Sequence, residues 1–468
     1  MTTRARAFRR STPLRRRDWF VLAALLAALV VVHLAQNRPR FPVYDEVYYL
    51  GVAHAIHAFG VFGVFGDDGA IDRAPAPGMA VSPLQPAFLA GLMALDPTFE
   101  DTVDCVLRNQ PDPAAAGCRP DYGAAVWVQL GIAAVALALV WVSALVLAGR
   151  AGTAHAAAAL VLASGVYTGF ADHFLTEILS LPLLTGFSLL LALAFRDGDG
   201  RAIGAAGLTL GLLALVRPSY AYLVPLVALL LAGALVAGWP PLPSRRTVLR
   251  LAALFATGYL VAVGPWLARN MILFDTPALT RGYAGSALGP RVAYNDMTAA
   301  EWAGAFLYWL PDFGDSWAGA LLPPSAYARL DLENPEGYYR QAARRLAERH
   351  GPLGPDAMFA AMIREDVLGN LPKHAAVTLP LAWRGAFVAD YWSLATLPLL
   401  LAMFAGGLRR RRTEFVLFCL PAFFMLGFHA FTTINIARYN VGLVAVSAVA
   451  AAVALTRLAE RSRGTGRP

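Results

Sequence analysis

Charge is what this sequence has least of. Only 15% of its 468 residues are Asp, Glu, Lys or Arg, while 57% are hydrophobic; a water-soluble domain is nearer a quarter charged. With a mean hydropathy of +0.52, there is too little polar surface to coat an ordinary soluble enzyme. Lysine is nearly missing: Lys373 is the only one, so the rest of the 39 basic residues are arginines. The three cysteines show no CxxC or Cys/His zinc spacing. No GxGxxG or P-loop pattern stands between a strand and a helix, and no nucleophile elbow occurs. The net charge of +8 is not gathered into a basic patch interleaved with aromatics, which excludes the usual nucleic-acid footprint.

What the chain has is apolar sequence in runs of bilayer length. Seven arginines in the first 17 residues precede WFVLAALLAALVVVHLA, from Trp19 to Ala35. Gln36, Asn37 and Arg38 follow without a small-residue cleavage site, so the run reads as a retained signal anchor rather than a cleaved signal peptide. Further apolar runs cover about 122–148, 153–171, 176–195, 202–216, 219–238, 248–268, 388–407, 414–431 and 439–456. The fold class this implies is an all-α polytopic membrane protein with about ten transmembrane helices and two long periplasmic loops containing interfacial helices. If each run crosses once, 21 of the 39 basic residues fall in short segments on the side of the N-terminus, RRRR at Arg409 to Arg412 among them. The positive-inside rule then puts both termini in the cytoplasm of a bacterial inner membrane.

The resulting plan is a cytoplasmic Arg-rich tail over 1–18, a multi-span module over 19–275 that includes a first periplasmic loop (36–121), a second periplasmic loop over 276–387, C-terminal spans over 388–456 and a cytoplasmic tail over 457–468. Cys105 and Cys118 share the first loop, where a disulfide and two free thiols are equally open readings. Between Ala299 and Leu322, the aromatics Trp302, Phe306, Trp309 and Phe313 recur at three-to-four residue spacing, and Pro311 with several acids argues against a crossing helix. The segment reads as interfacial, and Trp302 and Trp309 suit the lipid boundary better than the alternative of covering a bound sugar.

The ionisable groups near the spans all fall on the outer side of this plan. Asp45 and Glu46 follow the first span, Asp172, His173 and Glu177 lie between the third and fourth, and Arg217, Arg269 and Arg438 sit at later span ends. Charge at a bilayer edge is costly to misplace, so such a gathering points to a site. Asp45 and Glu46 occupy a first helical turn after Pro42, which suits a plain N-terminal charge pair and equally a general base. Each arginine alone reads as an interfacial anchor; three together suit a lipid-linked phosphate. His173 and Glu177, at i and i+4, are spaced to hold a divalent metal ion, a reading weighed against ordinary helix pairing.

YDEVYY (44–49), FLTEILSLPLL (174–184), LVRPSY (215–220), GPWLARNMILF (264–274) and ARYN (437–440) occur in this order. With them the chain resembles the GT-C class of integral membrane glycosyltransferases, in particular the branch of protein O-mannosyltransferases and lipid A aminoarabinose transferases. The resemblance implies a polyprenyl-phosphate-linked sugar donor, a lipid, glycan or protein acceptor, transfer at the periplasmic face by single inverting displacement, and a catalytic carboxylate in the first loop, here Asp45, with Glu46 as its adjacent candidate. Arg217, Arg269, Arg438, Tyr49 and Tyr439 are the substrate-binding candidates. The chain ends soon after the last span, so acceptor recognition falls to the loops or to a partner. The rival reading is a secondary transporter or lipid flippase, which also embeds charge among spans but places it nearer the midplane and usually carries repeats.

Overall fold

A computed structural model describes residues 13–36, 38–65, 71–237, 244–351 and 353–464. Most of the arginine-rich N-terminal tail (1–12) and the last residues of the C-terminal tail (465–468) lie outside the described residues. Every described element of regular structure is helical, apart from one isolated antiparallel bridge between Gly63 and Pro77.

All ten apolar runs form helices. In chain order the main helices are α1 (Arg16–Gln36), α2 (Asp45–Phe59), α3 (Leu84–Leu95), α4 (Pro97–Arg108), α5 (Gly123–Ala148), α6 (Ala151–Ala163), α7 (Glu177–Asp197), α8 (Gly200–Val216), α9 (Leu223–Ala237), α10 (Arg245–Phe274), α11 (Tyr283–Ala293), α12 (Ala299–Tyr308), α13 (Phe313–Leu321), α14 (Tyr338–His350), α15 (Leu371–Gly385), α16 (Asp390–Arg409), α17 (Thr413–Thr432) and α18 (Gly442–Gly464). Eight helices among the described residues are long and apolar enough to cross a membrane. A ninth crossing comes from α6 with the segment Val166–Asp172, bent by 53° at the break around Gly165, whose φ of +69° suits glycine. The remaining run, α8, has 17 residues, about 25 Å against a hydrocarbon core of about 30 Å. The chain is therefore an all-helical, multi-pass membrane protein, and the expected ten crossings reduce to eight or nine of sufficient length.

The chain divides into two compact units, one of Met1–Thr280, Leu399–Pro421 and Val444–Pro468, the other of Arg281–Pro398 and Ala422–Leu443. In the first unit, α8 and α10 pack backbone to backbone. A Cβ on Gly207 would lie 2.1 Å from the Phe255 carbonyl oxygen, and one on Gly258 would lie 2.2 Å from that of Gly204. Small residues permit this approach, which substitutes van der Waals contact for the hydrophobic drive that lipid does not supply. The first loop is not loose chain: α2, α3 and α4 close on Leu50, Leu89, Phe99 and Val103, and Cys105 and Cys118 form a disulfide.

The second unit is centred on a cation that its sequence did not advertise. Arg291 of α11 is fully buried and donates to the carbonyls of Ala430 and His374, to Asn295 Oδ1 and to Thr378 Oγ1. Burial pushes this guanidinium down to about 9, which leaves it charged at neutral pH. His374, also buried, donates from Nε2 to the Phe431 carbonyl and accepts at Nδ1 from Asn295. Both ring nitrogens are thereby used by the neutral form. Burial, with Arg291 beside it, pulls its pKa down to about 4.

The segment expected to be one interfacial stretch is instead two helices, α12 and α13, broken at Trp309 to Asp312. Trp309 is a correction to the sequence reading. It packs with Tyr294, Leu330 and Tyr338 in the core of its unit, under the Arg384 guanidinium at 5.3 Å, and so does not face lipid. Trp302 donates from Nε1 to the Ala376 carbonyl, which ties α12 to α15. A period of three to four residues identifies a helix face but not what that face meets.

Candidate active site

The first unit places its polar groups at two ends. At one end Asp18 meets His155, Arg150 pairs with Glu460, and Thr153 meets Thr456. At the other, where α1 ends and α7 begins, lies the group that the sequence singled out. Helices that alternate in direction bring these chain positions together.

Asp45 and Glu46 open α2. Tyr44, at a φ of +50°, turns the chain sharply into the helix, a conformation a non-glycine residue adopts only where its surroundings hold it. What holds it is Glu46. Its side chain is 2% exposed and both carboxylate oxygens are used. Oε1 accepts from Arg40 Nη2 at 2.6 Å and from the Phe174 backbone N–H at 3.0 Å; Oε2 accepts from the Val43 N–H at 3.1 Å. Asp45 is exposed. The two adjacent carboxylates therefore have different work: Glu46 fixes the corner, and Asp45 is the one presented outward. Local helix signals alone give them equal standing, since both fall in the same first turn.

Three residues beyond Phe174, Glu177 begins α7 and is buried. Its Oε1 lies 3.5 Å from Arg217 Nη1, and its Oε2 accepts from Thr176 Oγ1. Asp172 meets His33 of α1 at 3.4 Å. Arg40, which the sequence reading passed over, also anchors the loop through its carbonyl, which accepts from Tyr122 OH at 2.7 Å. A cavity of about 290 Å³ opens here, lined by His33, Arg38, Arg40, Tyr122, Trp127 and Asp172 among others. The signal that could have found it is the pair of arginines in RPRF, placed between a membrane run and two acids.

The remaining candidates fall elsewhere. Arg269 donates to the carbonyls of Gly78 and Phe62 and to Asn270 Oδ1, with its guanidinium 4.4 Å from the Trp266 ring. Phe62 lies just past the C-terminal end of α2, so most of that helix, about 21 Å of rise, separates Arg269 from Asp45. Tyr49 is partly buried against the first-loop core. Arg438 and Tyr439 belong to the second unit, where the guanidinium lies 5.5 Å from the Tyr439 ring and that ring packs on His429.

His173 Nδ1 is 2.8 Å from the Gly169 carbonyl oxygen, Glu177 is engaged with Arg217, and no group of three or more His, Cys, Asp or Glu able to hold an ion occurs among the described residues.

No family model matches the sequence, and no curated protein matches it either. Solved structures similar to the chain include the S. cerevisiae protein O-mannosyltransferase Pmt1-Pmt2 complex bound to the sugar donor (18% identity, 62% of this chain and 38% of that one, TM-score 0.42). They also include ArnT from Cupriavidus metallidurans bound to undecaprenyl phosphate (14% identity, 96% of this chain and 62% of that one, TM-score 0.48). The same ArnT in its apo state matches at 14% identity, with 92% of this chain, 76% of that one and a TM-score of 0.35. The chain thus spans less than two thirds of the length of the first two. At such identities and TM-scores no residue role carries across, and what this chain does has to come from its own side chains.

Proposed function

We propose that this protein is a glycosyltransferase that moves a sugar from a polyprenyl-phosphate donor to an envelope acceptor at the periplasmic face of a bacterial inner membrane, with both termini in the cytoplasm. The observation that carries the reading is the division of labour at the start of α2. A buried carboxylate is spent on holding a strained corner at the end of the first membrane span, and the corner presents a second, exposed carboxylate. Asp45 accepts the proton of the acceptor hydroxyl as that oxygen attacks the anomeric carbon. The leaving phosphate is a weak base, so no paired general acid is required. Displacement in one step inverts the anomeric configuration.

Arg217 is assigned the donor phosphate because its partner Glu177 stands three residues from the amide that binds Glu46. A guanidinium oriented by a buried carboxylate suits two-point contact with phosphate oxygens. Arg269 is assigned a positioning role, holding Phe62 and Gly78 where the first loop returns. Arg438 and Tyr439 are kept as binding residues of the second unit. The disulfide in the first loop supports an extracytoplasmic location, since such bonds persist in oxidising compartments.

The test is transfer by purified protein from radiolabelled polyprenyl-phosphate sugars to extracted envelope acceptors, with Asp45→Asn alongside. Full transfer by Asp45→Asn removes the base assignment. Movement of sugar across sealed vesicles without any transfer replaces the enzyme with a transporter.

A further inference from the structure

At the end of the first unit that holds Asp18 and His155, the turn between α16 and α17 carries the arginines Arg409 to Arg412. As bulk charge they orient the chain; the fold sorts them into two pairs. Arg410 and Arg412 line a small recess among α5, α16, α17 and α18, and Arg457 of α18 joins them there, whereas Arg409 and Arg411 are not part of its lining. The turn is held from within. The N–H groups of Arg410 and Arg412 donate to the carbonyls of Gly406 and Gly407 at 3.0 and 2.8 Å. Gly407 is buried, and a Cβ there would lie 3.1 Å from Val416 Cγ2, so a small residue lets α17 fold back this closely.

The carboxylates nearby do not neutralise this group. Neither Arg410 nor Arg412 forms an ion pair among the described residues. Glu460, about one turn beyond Arg457 on α18, is engaged by Arg150. Arg457 Nη1 reaches the thioether sulfur of Met403 at 3.5 Å, a weak acceptor for a charged donor. Glu414 lines the recess as well, which leaves three positive groups to one negative.

Size and lining say which anion suits it. The recess holds about 20 Å³, room for a single water-sized group. That excludes a nucleotide or a sugar phosphate enclosed as a whole and suits one phosphate seated across the rim. Leu147, Phe415 and Val453 supply buried apolar wall. Arg410 directly follows one helix long and apolar enough to cross a membrane, and Arg457 stands in the last turn of another. Leu408, Leu455 and Leu458 on those two helices are exposed, a surface for acyl chains. An anion held here stands where a bilayer places its phosphates.

We infer that Arg410, Arg412 and Arg457 bind the phosphate of an anionic phospholipid, whose acyl chains lie along the exposed leucines of α16 and α18. Guanidinium groups from two separate stretches of chain offer paired N–H donors to phosphate oxygens. A zwitterionic headgroup would bring its own ammonium into a cluster of arginines, and free phosphate has no chains to lay on the leucines. In the orientation proposed above this is the cytoplasmic leaflet. The inference requires α16 and α18 to cross the membrane and is independent of the sugar chemistry.

Native mass spectrometry of the full-length protein, released from detergent with defined added lipid, tests it. The probes are dioleoylphosphatidylglycerol, dioleoylphosphatidylcholine and inorganic phosphate. The wild type is expected to retain phosphatidylglycerol at concentrations about tenfold below those needed for phosphatidylcholine. Arg410→Gln combined with Arg412→Gln should raise the phosphatidylglycerol concentration for half occupancy about tenfold or more, the loss of at least one charge-assisted hydrogen bond. Arg409→Gln combined with Arg411→Gln removes the same charge from the same turn and should change it by less than about twofold. Equal weakening by the two pairs overturns the inference, because general attraction to a basic turn would then account for the binding. Equal retention of the two lipids also overturns it. So does inorganic phosphate that blocks phosphatidylglycerol at equal concentration, which would make a free anion the ligand. Should the first pair not fold, Arg457→Gln on a different helix is expected to show the same weakening, and unchanged binding in that variant counts against the site.

Discussion

Asp45 and Glu46 are consecutive carboxylates with opposite surroundings: Glu46 accepts three hydrogen bonds in a buried pocket, and Asp45 stands exposed at the start of the same helix. Substitution separates their roles. Asp45→Asn should leave the unfolding temperature within the range of an ordinary surface change while transfer falls by about 10²–10⁴-fold, the usual contribution of a general base. Glu46→Ala strands Arg40 and two backbone N–H groups, and should cost about 1–3 kcal/mol of stability. Thermal unfolding in detergent, run beside the transfer assay, distinguishes the two; equal loss of activity and stability in both variants would contradict the assignment.

The disulfide joins Cys105 and Cys118, which stand 13 positions apart in the sequence. Replacing both cysteines with serine should lower stability by about 2–3 kcal/mol, the loop-entropy value for a ring of this size. Transfer measured well below the unfolding temperature should persist, because neither sulfur lies near the corner that holds Asp45 in sequence or in its hydrogen bonding.

His374 makes the second unit sensitive to acid. Its pKa is depressed from an ordinary 6.5 to about 4, so its contribution to stability is fully present above pH 6.5 and is lost as pH falls toward 4. Protonation would also set a second positive charge beside buried Arg291. Unfolding followed between pH 7 and pH 4 should show a steeper decline for the wild type than for His374→Gln. Parallel curves would remove His374 as the source.

Packing of α8 on α10 leaves no room at two glycines. Gly207→Ala or Gly258→Ala would drive a methyl group into an opposing carbonyl and should each cost about 1–3 kcal/mol through overpacking. Gly233, whose added Cβ meets nothing within 4 Å, is the control that should tolerate the same change.

The spans were legible because bilayer length and apolarity are one-dimensional properties, and each of the ten runs became a helix. The start of α2 was legible for a similar reason, since Pro42 and two acids are local signals. Partners were not. The tie from Glu46 to Phe174, the buried Arg291 and the packing of Trp309 each depend on residues brought from distant parts of the chain. Arg291 and Trp309 sit in sequence contexts that resemble an exposed arginine and an interfacial tryptophan. Composition left the pairing of Cys105 with Cys118 open, and the fold of the first loop closes it.

Two of the three hydrogen bonds at Glu46 come from within six residues, while the third comes from an amide 128 residues downstream. A nascent chain leaving the ribosome therefore acquires the early two as soon as α2 emerges. The last waits until α5 and α6 have been inserted and Phe174 has followed them. The exposed acid is thus set in its final attitude only when the third crossing is in place, so that a truncated translation product retains the carboxylate without the geometry that would make it useful.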